Sequence, residues 1–158
     1  MNHEMHDTHP HLLVIANATC DGIELFDEIR RHARSPDTDV LVIAPALISR
    51  LHWWTSDGDA GSVAAQERVT ISLAHLRAAG INAHGTFGDA NPMQAMDDAV
   101  RVFHPDDVIV ATHPRHEANW HERDFVAHAR KRFSMPITEV EVDAAHHHAH
   151  IVPAPVAA

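Results

Sequence analysis

Short, continuous apolar runs alternate along the chain with longer segments whose apolar residues recur every three or four positions. Four runs are rich in Val, Ile and Leu: HLLVIA at 11–16, DVLVIA at 39–44, a weaker one at 81–87 that carries His84, and DVIVA at 107–111. Continuous runs of this length predict strands buried on both faces. A fifth, PITEVEV at 136–142, behaves differently: Thr138, Val140 and Val142 alternate with Glu139 and Glu141. That alternation predicts a strand with one wet face, at a sheet edge.

Four helices are predicted between the strands. The first places Leu25, Phe26, Ile29 and Ala33 on one stripe after a Thr19 or Asp21 cap. The second, at 63–79, turns Val69, Leu73 and Leu76 inward and stops at Gly80, while Gly58 and Gly61 read as turn residues. In the third, Asn91 caps, Pro92 takes the first helical position and Gln94 closes a capping box, ahead of Met96, Ala99 and Phe103. The fourth repeats the device with Asn119 and Glu122, buries Phe125, Val126, Ala129 and Phe133, and ends on Arg130, Lys131 and Arg132.

Strands alternating with helices predict right-handed crossovers and an open, mostly parallel, five-stranded doubly wound α/β sheet with helices on both faces. The pattern frames one domain over 11–143 between two aperiodic tails, 1–10 and 144–158, expected to be mobile. In such a sheet, ligands bind beyond the carboxyl ends of the strands, where the winding reverses and loops diverge.

Charge and composition narrow the function. With 22 acidic and 12 basic residues, the net charge of -10 repels a polyphosphate backbone and argues against nucleic acid as a partner. No apolar run approaches the roughly 18 to 20 residues that span a bilayer, so no membrane role is expected. A lone cysteine, Cys20, and a polar start without a secretory signal point to the cytoplasm.

LLVIANAT at 12–19, GDANPMQAMDDAV at 88–100, DDVIVAT at 106–112 and the closing MPITEVEV together resemble the universal stress protein family. The most specific piece is the Gly-Asp-x-x-Pro helix start at Gly88, followed one helix later by a strand opening on Asp106 and Asp107. The resemblance implies strand order 3-2-1-4-5, as in adenine nucleotide alpha hydrolase-like proteins, with the turns at Asn17 and Thr112 flanking one cleft. Many members of that family hold ATP there, which makes ATP or another adenine nucleotide the implied cofactor. Carried over residue by residue, Asn17 stands where the family has an aspartate, Ile43 lines an adenine pocket and Gly88 belongs to the same site.

The phosphate end departs from the family. Its ATP-binding members place glycines after strand four, three residues on, and before a Ser or Thr that opens the last helix. Here Thr112, Arg115 and Arg123, the last followed by Asp124, occupy those positions. Side chains at such sites obstruct the close approach of backbone N–H groups to phosphate. Two readings follow: Thr112, His113, Arg115 and Arg123 bind an anion through side chains, since arginine forks suit phosphate, or the pocket is closed or repurposed.

Other constellations carry a chemical and a plainer reading. Of 17 histidines, His3, His6, His9 and His11 cluster at one end and His146, His147, His148 and His150 at the other. Imidazoles bind Zn, Ni or Cu, but a site in a mobile tail costs ordering entropy, and adventitious binding is the plainer reading. In HPRHEANWH the next histidine, His121, follows His116-Glu117 one residue too late for a zinc hydrolase helix. Cys20 is a redox candidate or small packing; Trp53 and Trp54 form a lid or a partner contact, or else cap the sheet end or pack under the second helix.

No nucleophile elbow, Walker sequence or G-x-G-x-x-G occurs. The expected function is a non-catalytic regulatory or ligand-sensing domain. Its alternatives are a nucleotide-binding protein or weak nucleotide hydrolase using the strand-four loop, and a His-rich metal-binding protein. A homodimer is expected through the edge strand that holds Ile137 and Val142, because exposed edges recruit partners.

Overall fold

The computed structural model describes residues 9–16, 23–45, 58–89, 91–114, 120–143 and 148–156. The elements run β1 (His11–Ala16), α1 (Ile23–His32), β2 (Asp39–Pro45), α2 (Gly58–Ala78), β3 (Asn82–Gly88), α3 (Pro92–Phe103), β4 (Asp107–Thr112), α4 (Trp120–Arg132), β5 (Ile137–Asp143) and β6 (His148–Val152). They build one open sheet in the order β3-β2-β1-β4-β5-β6. The first five strands are parallel, and β6 pairs antiparallel with β5.

The apolar runs predicted this sheet because β1 and β4 are buried on both faces. Leu12, Val14, Ala16, Ile109 and Ala111 meet Leu25 and Ile29 of α1 and Val69, Leu73 and Leu76 of α2. On the opposite face Leu13, Ile15, Val108 and Val110 meet Ala95, Met96, Ala99 and Phe103 of α3 and Phe125, Val126 and Ala129 of α4. Side chains alternate across a strand, so a run with no polar member serves both layers.

Helix ends are fixed by hydrogen bonds that the sequence anticipated in part. Gly80, at φ 80°, ends α2: its N–H donates to Arg77 O and that of Ile81 to Leu76 O, the paired bonds of a Schellman stop. Asn91 caps α3, its Oδ1 accepting from Met93 N at 3.0 Å. The expected capping box does not form. Gln94 Nε2 donates to Asp98 Oδ1 at 3.0 Å, and Asp89 Oδ1 instead accepts the Asn91 N–H at 2.8 Å. Arg77 Nε donates to Ala83 O and Arg130 to Ile137 O, each tying a helix to the strand that follows it.

Three boundaries differ from expectation. Gly58 and Gly61 lie within α2, which begins five residues before the predicted start. Glycine lowers helix propensity by only about 1 kcal/mol, which tertiary contacts readily exceed. The segment 144–158, expected to trail as a mobile tail, supplies β6. As a result β5 is not the sheet edge: β6 pairs along the side at which self-pairing of Ile137 to Val142 was expected.

The exposed His104 closes α3 in the left-handed region (φ 51°, ψ 60°), donating its N–H to Val100 O. A side chain there costs about 1–2 kcal/mol, part of which glycine relieves. His104→Gly is therefore expected to stabilise the domain by about 0.5–1 kcal/mol, measurable as a raised denaturation midpoint.

Candidate functional site

The winding reverses between β1 and β4. From β1 the chain builds outward through β2 and β3; from β4 it builds the other way. Ala16 and Ala111 are register partners, so the turns after both strands leave side by side from the carboxyl edge of the sheet. This is the position at which doubly wound sheets open a crevice.

Thr112 ends β4 with 2% of its surface exposed. Its hydroxyl donates to Glu139 Oε1 on β5 at 3.2 Å, and Glu141 is its register partner. The hydroxyl expected to meet a ligand is thus committed across the sheet, and two carboxylates accompany it. His113 follows half-buried and Pro114 is buried. Asn17 and Arg115 lie outside the described residues, as does the Arg123 side chain, although the Arg123 backbone belongs to the start of α4.

Ile43 and Gly88, carried over to the same site, do come together, but on β2 and β3, two and three strands away from Thr112. They share an open groove of about 550 Å³ between the β2–β3 face and α3, with Leu41, Thr86, Ala95, Ala99 and Val102. Its floor is apolar; the exposed carboxylates of Asp89 and Asp98 are its charged groups. A Cβ on Gly88 would come within 2.7 Å of Ala95 Cβ and 2.9 Å of Ile43 Cγ2. Close approach of α3 to the sheet therefore accounts for this glycine without a ligand.

The paired aspartates also have structural partners. Asp106 Oδ2 accepts the His11 N–H at 2.9 Å, and Asp106 N donates to His11 O, stitching β4 to β1. Asp107 Oδ2 lies 2.6 Å from His32 Nδ1, while His32 Nε2 lies 3.0 Å from Glu28 Oε1. Arg31 Nη1 donates to the other Glu28 oxygen at 2.8 Å. This cluster fastens α1 to the start of β4, at the amino end of the strands and away from the crevice. Sequence reasoning missed it, although Glu28 and His32 stand one helical turn apart.

Among the described residues, no group of three His, Cys, Asp or Glu side chains is arranged to hold a metal. His146 and His147 fall outside those residues; His148 and His150 belong to β6, with the His150 Nε2 4.0 Å from Glu141 Oε1. His11 stacks on Phe103 with ring centroids 4.7 Å apart, and its Nδ1 lies 2.7 Å from Phe103 O. Cys20, Trp53, Trp54, His116 and Glu117 lie outside the described residues. No helix among the described residues is long and apolar enough to cross a membrane.

The strand order is that of an open α/β sheet with the universal stress protein fold. The sequence matches no protein-family model and no curated protein. In structure the chain is similar to a universal stress protein family protein from Arabidopsis thaliana, solved with AMP bound. The TM-score is 0.56 at 12% identity, over 87% of this chain and 94% of that one. At this identity the likeness is one of fold.

Proposed function

We propose that this chain is a non-catalytic regulatory domain that senses a small ligand and does not hold ATP in a glycine-lined phosphate cradle. The observation that carries the reading is Thr112, buried at the end of β4 and bonded to Glu139. A phosphate cradle needs open backbone N–H groups, whereas this wall presents a committed hydroxyl and neighbouring carboxylates that repel phosphate. The AMP in the Arabidopsis thaliana neighbour favours an adenine nucleotide as the second reading, with Ile43 beneath the base and His113, Arg115 and Arg123 as the anion-binding side chains.

Calorimetry with AMP, ADP and ATP separates the two. Dissociation constants above about 1 mM, or undetectable heat, are expected for ATP, corresponding to no more than about 4 kcal/mol of binding. ATP binding at low micromolar concentration, or steady release of phosphate from it, would overturn the proposal.

A further inference from the structure

The β5–β6 hairpin addresses how this domain meets a second copy of itself. Along β5, Val140 and Val142 are buried against the α1 and α2 layer, while Glu139 and Glu141 share the other face with Thr112. Two such strands paired antiparallel about a two-fold axis would bring the glutamate rows of both copies onto one face. Like charges directly opposite one another destabilise a strand pair.

The segment His-Ala-His-Ile-Val fits β5 better than β5 fits itself. Ile151 stands opposite Val140 and Ala149 opposite Val142, with Ala149 packed on the buried cluster. On the other face His150 stands opposite Glu141, and Val152, 8% exposed, stands opposite Glu139. On the face shared with α1 and α2 apolar residues meet apolar residues; on the other an imidazole meets a carboxylate, while Val152 stands against Glu139. Only residues 144–147 separate the two strands, so β6 competes for β5 at the high effective concentration of a short tether, in the millimolar range.

The outer side of β6 is poorly suited to further pairing. The strand has five residues and is followed at once by Pro153, then Pro155. Short edge strands and prolines are devices that stop edge-to-edge addition.

We infer that β6 is a built-in closing strand: it occupies the β5 edge in place of a second copy of the chain, and releasing it makes the domain self-associate through β5. The inference shares β5 with the ligand reading, which turns on the Thr112–Glu139 bond, but it concerns the flank of β5 that faces β6.

Light scattering on the full chain, at tens of micromolar, should give the single-chain mass of 17.5 kDa. The full-length double variant Ala149→Pro/His150→Glu disturbs the β6 backbone and its packing on the buried cluster and sets a carboxylate against Glu141; it should shift to twice that mass. A second variant, Cys20→Ser/Glu141→Cys/His150→Cys, asks which chain supplies β6. These cross-strand partners have the spacing a disulfide requires, so mild oxidation should close the bond within one chain and leave a monomer on a non-reducing gel. Should the proline variant unfold, hydrogen exchange on the unaltered protein decides: β5 amides facing β6 should exchange at least about 100-fold more slowly than an open edge. A dimeric unaltered chain, an interchain disulfide, a folded proline variant that stays monomeric, or unprotected β5 amides would each overturn the inference.

Discussion

His32→Ala is expected to cost about 2–3 kcal/mol of folding stability, measured by denaturant unfolding. His32 faces a carboxylate at each ring nitrogen, Asp107 at 2.6 Å and Glu28 at 3.0 Å. The side chains of Glu28, His32 and Asp107 are 7%, 16% and 24% exposed, so water compensates little for a lost partner. Leaving a buried acceptor without its hydrogen-bond partner costs about 1–3 kcal/mol, and His32 serves two such acceptors in a partly exposed cluster. Glu28→Gln added to His32→Ala should recover part of the loss, because it removes the carboxylate left with Arg31 alone. A single-variant cost under about 0.5 kcal/mol would mean that the cluster does not fasten α1 to the sheet.

Gly85→Ala is expected to lower the melting temperature by about 5–10 °C, the equivalent of some 2–3 kcal/mol for a domain of this size. A Cβ at Gly85 would lie 2.6 Å from Val42 O and 2.8 Å from Val69 Cγ1. Val69 on α2 can be shortened, so Val69→Ala in the same protein should restore a fraction of the loss. The Val42 carbonyl belongs to the paired β2 backbone and cannot step aside, which keeps the rescue partial. Full rescue would show that helix crowding alone makes Ala intolerable there.

The strands that proved easiest to read in the sequence were those with two buried faces. In β1, β2 and β4 the apolar run is nearly unbroken because both helical layers need it. β6 escaped notice because five residues with two histidines, between Ala-rich and Pro-rich stretches, carry no period; its stability comes from partners on β5. The start of α2 was obscured by two glycines, whose helix propensity is about 1 kcal/mol poorer than that of alanine.

The site was less legible than the fold. The sheet order and the adjacency of the turns after Ala16 and Ala111 match the expected topology. Residue carry-over did not reveal that Ile43 and Gly88 line a groove beside α3, or that the Thr112 hydroxyl is committed to Glu139. Those facts depend on which side chains meet across strands, information that sequence spacing within one element does not contain. Asp106 and Asp107 show the same limit: adjacent in sequence, they bind two different elements, β1 and α1.

The central position of β1 affects how the chain can be made. β1 is synthesised before both strands that flank it, and its far side stays open until β4 arrives, 95 residues later at the bond between His11 and Asp106. At ordinary elongation rates of 5–20 residues per second, that wait is on the order of 5 to 20 s. Until then Leu12, Leu13, Val14 and Ile15 have at most β2 beside them, so the nascent chain offers chaperones a sticky ribbon that the finished protein buries.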